Sequence, residues 1–598
     1  MKKKDLLIVV ALFALWMAWP IIDRQVIKKH FFRSPPPAAG PVAPAPADEE
    51  PGIRPAPVAP AAPAEAISPA PAMEAEAARP APEPSVPEQT VVIGNGRLQV
   101  TLSSHGAAVK SVELTGYRRD LDPGSGSVVL DFAALPALAY GGLAGLGESD
   151  AFEMRPSESR GEARFERALP GGLTLRRSVR LDDGYLLQVQ DDFVNAGREG
   201  VDLPAHSVRT GPMPDFDIAR AQKGMIQLGV DTLTPGGEGV RHWGSQISKR
   251  FTQARDEKGL PKLPATVDWS LDRPVDWVAA KNKYFVQIVA PEGEGAVENG
   301  AVRAVRQVSP AEAADPEYKP RGAVVQEVSA SLQFAGFAIP PGETVARRIR
   351  CYIGPKKLAE LDRYGLHLVD VMEFGMWAPV GRLLLKLMNG IHDVLWPHNY
   401  GIAIIQLTIL VRIVFWPITH KSTESMKKMQ AIQPLVNAVR QRYKDNPQKQ
   451  QQEIMALYKE HKVNPLGGCL PTLIQIPVFI ALFVVLRSAI ELRFAPFLWI
   501  RDLSQPENLF AGVLPIPLNI LPIIMAVTMV WQQKMTPGTG DPAQQKMMMF
   551  MPVMMLVLFY NFAAGLVLYW TTNQCLMIMQ QLMMHRKKGA ALQARGAA

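Results

Sequence analysis

The stretch Gly401–His420, GIAIIQLTILVRIVFWPITH, is apolar for long enough to cross a bilayer as a helix, yet it carries one full charge, Arg412, near its middle. A charged side chain at that depth costs about 3 kcal/mol on insertion scales, so its presence needs a reason. Three readings stand: Arg412 serves a substrate or ion path, it snorkels toward the Lys421 end, or it bonds neighbouring helices together. Directly after it comes the strongly basic segment Lys421–Lys462. The positive-inside rule puts that segment in the cytoplasm, which orients everything else.

Composition matters mainly for where it changes. A mean hydropathy of +0.02 averages a polar N-terminal half with an apolar, methionine-rich C-terminal third. The formal net charge of +8 is modest for 598 residues. Its lysines and arginines gather at Lys421–Lys462 and His585–Lys588, beside apolar runs, which suits a membrane face better than nucleic-acid binding. Cys351, Cys469 and Cys575 form neither a disulfide framework nor a zinc-type spacing.

In chain order, residues 1–22 set Lys2–Lys4 before LLIVVALFALWMAWPII with no small-x-small cleavage site, and read as an uncleaved signal-anchor helix. Residues 23–88, dominated from Ser34 by Pro and Ala, form a semi-rigid tether. Residues 89–354 alternate in short runs, as at Leu98, Val100 and Leu102, or Leu173, Leu175, Val179 and Leu181. Turns such as Asp122–Gly126 and Asp182–Gly184 separate them, which predicts a large all-β sandwich. Its histidines, His105, His206 and His242, show no catalytic spacing, so a scaffold is expected rather than an enzyme. Within 355–398, Trp377–Trp396 sets Leu383, Leu384, Leu387 and Met388 opposite Arg382, Lys386 and Asn389, the pattern of a helix lying in the membrane interface.

The membrane core occupies 399–584, with spans at 401–420, 466–487, 514–533, 546–561 and 565–584. With the N-terminal anchor that makes six. Residues 421–463 form a helical hairpin turning at Asp445–Pro447, its first arm kinked at Pro434. Pro471, Gln475 and Pro477 inside the second span need protein or water around their freed polar groups. Parity then places the β domain outside, both termini inside, and 585–598 as a short basic cytoplasmic tail.

Five stretches carry a resemblance: VRIVFWPIT (Val411–Thr419), MALYKEHKVNPLGGCLPTLIQIPVFIALF (Met455–Phe483), PFLWIRDLS (Pro496–Ser504), DPAQQKMMMFMPV (Asp541–Val553) and GLVLYWTTN (Gly565–Asn573). They resemble the YidC/Oxa/Alb family of membrane-protein insertases, in its Gram-negative YidC form. The resemblance implies a bacterial inner-membrane protein whose five core helices surround a hydrated groove open to the cytoplasm, with the family's intramembrane Arg at Arg412. It implies a periplasmic β-super-sandwich. It further implies insertion and folding of newly made inner-membrane proteins, alone or beside the Sec translocon, with no cofactor and no nucleotide. The chain indeed has no GxxxxGK phosphate loop.

Partners so implied are nascent membrane proteins, the Sec translocon, the lipid bilayer, and a ribosome or signal recognition particle receptor at the hairpin. Polar candidates for the groove wall are Gln406, Thr408, Gln475, Gln532, Thr571 and Asn573, each with an interhelical hydrogen bond as its alternative. Met547, Met548, Met549, Met551, Met554 and Met555 crowd one span, either as an adaptable surface for sliding substrate helices or as ordinary lipid-facing residues. A secondary transporter or channel is the rival reading, but the spans show no internal repeat.

Overall fold

The computed structural model describes residues 86–596 apart from 158, 217–227, 238–239, 255–262, 272, 294–296, 309–323, 462, 464–469, 512, 515 and 536–541. The N-terminal anchor, nearly all of the tether, the Asn464–Cys469 motif and the side chains of Met547 and Met548 lie outside the described residues.

Alternation builds the β domain. In Leu173–Leu181 every second residue is buried, and the inward position between Leu175 and Val179 is taken by Arg177. The largest sheet has nine strands, ordered Val240–His242, Gly229–Leu233, Trp277–Lys281, Phe285–Glu292, Thr344–Pro355, Leu186–Asn195, Leu173–Leu181, Glu162–Ala168 and Glu153–Arg155. A second runs Thr266–Ser270, Val297–Arg306, Val325–Phe334, His206–Arg209 and Tyr140–Gly141, with Met213–Pro214 also paired to Val325–Phe334. Residues 90–131 supply a four-stranded sheet. Pairing is antiparallel in all of them. The two larger sheets face each other where Trp277–Lys281 lies against Val325–Phe334, around buried Trp277, Phe285, Phe193 and Phe334. The expected β-sandwich is present.

Arg177 pins this core. It faces Asp191 across the strand pair, with Nε at 2.7 Å from Oδ1 and Nη2 at 2.9 Å from Oδ2. Its Nη1 donates to the carbonyls of Leu138 and Ala107, and Tyr140 Oη donates to Asp191 Oδ2 at 2.7 Å. Burial by itself would lower the Arg177 pKa, but Asp191 outweighs it and holds the guanidinium charged.

Helices α1 (Gly244–Gln253) and α2 (Leu358–Tyr364) belong to this domain and its exit. Then come α3 (Ala378–Val394), α4 (Tyr400–Ala431), α5 (Gln433–Arg442), α6 (Pro447–Glu460), α7 (Leu470–Ser488), α8 (Ile520–Met535), α9 (Pro542–Phe559) and α10 (Ala564–Gly596). Helix α4 runs from the apolar stretch Tyr400–Pro417 straight into the basic segment that follows it. It stops at Ala431 because Pro434 donates no backbone hydrogen bond and suits only the first turn of α5. Asn446 caps α6 by accepting from the Lys449 amide at 3.1 Å.

Helix α8 begins at Ile520, later than the span drawn from Leu514. Before it Leu509 is bridged to Leu518, and the Glu507 carboxylate accepts the amides of Ile520 and Leu521 at 3.0 and 2.6 Å. An anion there complements the helix N-terminus.

Among the described residues, Tyr400–Pro417 is long and apolar enough to cross a membrane, while Gln475–Ser488 and Met549–Phe559 are shorter apolar segments. That criterion alone does not yield six spans.

Asp191→Ala is expected to strand the buried Arg177 charge and destabilise the domain by about 3–5 kcal/mol, whereas Arg177→Met with Asp191→Leu costs far less. Pulse proteolysis of the full chain in urea reads the difference; equal losses in both variants would show that packing, not charge, sets the stability.

Candidate functional site

Helix α4 has two faces. Ile404, Thr408 and Arg412 recur every four residues on the side turned toward the protein, and Gln406, Leu410 and Ile413 on the side turned away. The start of the helix lies so close to Phe497 that a side chain at Gly401 would overlap the ring. Arg412 is about 18 Å along the axis from Tyr400.

Arg412 meets α10. Its Nε donates to Asn573 Oδ1 at 2.8 Å and its Nη2 reaches the Asn573 carbonyl at 3.4 Å. Residues Tyr569, Asn573 and Met577 lie four apart on α10 and therefore share one face. Three different helices send one polar side chain each to that face. Gln475 of α7 donates to Tyr569 Oη at 2.6 Å, Arg412 of α4 bonds Asn573, and Gln532 of α8 brings Nε2 to 3.5 Å from Met577 Sδ. This polar spine joins four of the sequence candidates.

The other candidates stand elsewhere. The Thr408 and Thr571 hydroxyls are buried and donate back to Ile404 and Val567 of their own helices, at 2.6 and 2.8 Å. Gln406 is exposed on the outward face of α4. On α9, Met549, Met551 and Met554 are exposed beside Phe550, Val553 and Val557, and Met555 is half-buried. Methionine is not set apart from its apolar neighbours there. The sequence reading missed Tyr569 and the buried Gln574 and Gln580. Among the described residues, Gln574 Oε1 and Gln580 Nε2 have no hydrogen-bond partner. Their signal was available: amides recur along an otherwise apolar α10.

A second charged cluster ties the β domain to the segment before α3. The buried Lys281 Nζ donates to Asp231 Oδ2 and Glu373 Oε1, both at 2.5 Å, and to the Val371 carbonyl at 3.1 Å. His242 Nδ1 lies 2.8 Å from Asp231 Oδ1. Asp231, His242 and Glu373 have the spacing of metal ligands, but the Lys281 ammonium already supplies positive charge among them. Nearby Lys356 is buried, and burial followed by repulsion from Lys281 pushes its ammonium from 10.5 down to about 7.

Comparison with known proteins follows this division. The family described as 60Kd inner membrane protein matches residues 391–591, and the YidC periplasmic domain matches residues 90–387. The membrane protein insertase YidC of Geobacter sulfurreducens is 33% identical over 482 residues, covering 78% of this chain and 80% of that protein. The membrane protein insertase YidC of Pelobacter propionicus is 32% identical over 502 residues, covering 81% of this chain and 85% of that one. A crystal structure of an active YidC insertase with its first transmembrane domain resolved aligns at a TM-score of 0.32 and 18% identity, over 83% of this chain and 92% of its own.

Lys356 binds fewer protons folded than unfolded across the window from about pH 7 to its ordinary 10.5, so folding stability rises with pH through that window. The slope is at most about 1.4 kcal/mol per pH unit. Lys356→Met is expected to stabilise the β domain at pH 6 and to flatten this slope, read from thermal unfolding midpoints; a variant with the parent's pH profile would overturn the assignment.

Proposed function

The chain belongs to the YidC family of membrane protein insertases, and we propose that it inserts newly made inner-membrane proteins through a hydrated groove organised on Arg412. The observation that carries this reading is the unfinished bonding of that side chain. A guanidinium has five N–H donors in a rigid fork. Arg412 spends Nε and, weakly, Nη2 on Asn573, while Nη1 makes no hydrogen bond among the described residues. A residue whose only task was to glue helices would be expected to use the whole fork. One left with free donors suits a site that attracts the acidic or hydrophilic flank of a substrate helix.

The spine of Gln475, Tyr569, Asn573 and Gln532 supplies the polar wall, while Gln406 lies on the opposite face of α4. Water in such a groove shortens the hydrocarbon path of the flank, so no nucleotide is needed. The methionines of α9, with their apolar neighbours, offer an adaptable surface to the substrate's apolar face.

Six spans follow from the apolar runs, with the α5–α6 hairpin and both termini in the cytoplasm and the β domain in the periplasm. The basic hairpin is the docking face for a ribosome or signal recognition particle receptor, and the Sec translocon is a second partner. This is not catalysis of a covalent reaction.

Two measurements test this. In a cysteine-free background, Asn446→Cys is expected to react with an impermeant thiol reagent only after the cytoplasm is opened; labelling in intact spheroplasts would reverse the topology. Arg412→Lys is expected to keep much of the insertion activity because charge matters more than fork geometry. Arg412→Ala, at equal expression, is expected to lose roughly tenfold or more, about 1.4 kcal/mol, on substrates with acidic flanks and much less on neutralised ones. Equal activity of Arg412→Ala on both substrates would end the charge-attraction reading.

A further inference from the structure

A cavity of about 280 Å³ lies where the β domain meets the start of α4, walled among others by Arg118, Lys357, Tyr400, Glu491, Arg493 and Phe494. Its three cations come from three separate parts of the chain. Among the described residues none of them forms an ion pair, and the neighbouring carboxylates are taken. Glu360 pairs with Arg97 at 3.1 Å, Asp120 with Arg119 at 3.8 Å, and Asp502 accepts from Ser504. Arg493 Nη1 and Nη2 donate to the carbonyls of Arg118 and Arg119, at 2.8 and 2.9 Å. That leaves its Nε hydrogen and one on each terminal nitrogen.

The Arg493 and Arg118 guanidiniums lie over one ring, that of Phe494, with their central carbons 4.3 and 5.6 Å from its centroid. Two like charges on one ring repel. Burial lowers the Arg493 pKa despite Tyr284 and Asp502, and Arg118 adds to the lowering.

Among the described residues Glu491 is the one carboxyl in the wall, and its pairing removes its charge. Its Oε1 accepts from Asn389 Nδ2 of α3 at 3.2 Å, while its Oε2 and Asn389 Oδ1 are buried without a hydrogen-bond partner. A proton on Oε2 serves both, because its donation to Asn389 Oδ1 closes an acid–amide pair of two hydrogen bonds. Burial pushes the Glu491 carboxyl upward in the same sense, and Lys357 does not outweigh it. The wall is then cationic, with nothing to balance it.

We propose that this cavity holds the phosphate of an anionic phospholipid, of the phosphatidylglycerol type, between Arg118, Lys357 and Arg493. Donors arriving from three directions suit the tetrahedral oxygens of a phosphate better than a planar carboxylate, which fits a single fork. An amino headgroup would bring an ammonium that three cations repel and no carboxylate answers, so a glycerol headgroup is preferred to ethanolamine or choline. The volume falls just below the roughly 300–1,000 Å³ of drug-sized pockets, which suits a headgroup. Tyr400 places the cavity, being both in its wall and the first residue of the apolar stretch Tyr400–Pro417. Lipid phosphates lie at that boundary if α4 spans, and this step rests on that reading. Trp396, 86% exposed just before Tyr400, is a residue type enriched at the same level.

The test counts lipid bound to the full-length protein in detergent micelles by native mass spectrometry. Phosphatidylglycerol, phosphatidylethanolamine and phosphatidylcholine are offered at equal concentration. The parent is expected to retain phosphatidylglycerol over phosphatidylcholine by roughly tenfold. Arg118→Gln with Lys357→Gln, which gives up no ion pair, is expected to remove most of that preference. The basic α5–α6 hairpin also attracts anionic lipid, so Lys444→Gln with Lys449→Gln is the matched control and is expected to keep it. A parent without the preference, or equal loss in the two double variants, would overturn the proposal. Glu491→Gln keeps the two-bond pair with Asn389 and is expected to change retention by less than about twofold. A several-fold gain there would show a charged carboxylate in the wall and overturn the proposal as well. Displacement of the lipid by an equal concentration of glycerol phosphate would reassign the site to a soluble ligand and overturn the lipid assignment. Insertion into vesicles of mixed phosphatidylethanolamine and phosphatidylglycerol is measured in parallel. If the parent inserts substrate but shows no headgroup preference, only the lipid site fails; if it inserts nothing, the functional reading fails and retention still decides the site.

Discussion

A charge taken out of water must be matched by something, and how completely it is matched separates the cations buried in this protein. Arg177 is fully engaged by one carboxylate and two carbonyls, so it acts as a rivet between sheets. Lys281 is held by two carboxylates and a carbonyl. It fastens the β domain to the segment that leads into α3. Arg412, half-buried, is bound to a single residue among those described. A fully matched ion has little left to offer a passing ligand, while a partly matched one remains available. The same Coulomb physics therefore makes structure at one position and a candidate site at another.

The β domain is joined to the helical core by main-chain carbonyls more than by ion pairs. Lys283 donates to the Ser504 carbonyl at 2.8 Å, and Tyr284 Oη lies 2.7 Å from Ser504 Oγ. Arg493 reaches across to Arg118 and Arg119 in the opposite sense and stacks on Phe494. Asp502 holds the turn that presents Ser504. Bonds to backbone read shape and position, so they fix a joint without demanding a particular side chain opposite.

Much of this was legible in the chain. Alternation named the β domain, and Pro434 marked the break between α4 and α5 to within a few residues. Arg177 fills the inward position that the run Leu173, Leu175, Val179, Leu181 passes over, but the sequence reading did not name it, because its partners on other strands were not readable. Arg412 stood out because charge is costly in an apolar helix. Its partner was among the candidates, but the pairing was not readable, because Asn573 is 161 positions away. The Lys281 cluster was invisible for the same reason, its members coming from three parts of the chain. Gln406 and Thr408 looked alike in sequence. Only the rotation of α4 separates an exposed amide from a hydroxyl returned to its own helix.

Continuity of α4 past its apolar stretch gives the chain a lever. Ala431 lies about 21 Å beyond Pro417 along the helix axis, and Arg412 about 8 Å before it. Pro417 donates no hydrogen bond to the Ile413 carbonyl, so bending concentrates there. A flexure of about 10° at that point sweeps the far end of the lever by about 4 Å. The near side, bolted to α10 through Asn573, barely moves. The arm beyond Pro417 can thus follow whatever leans on it without dragging the half-buried Arg412 guanidinium off its mount.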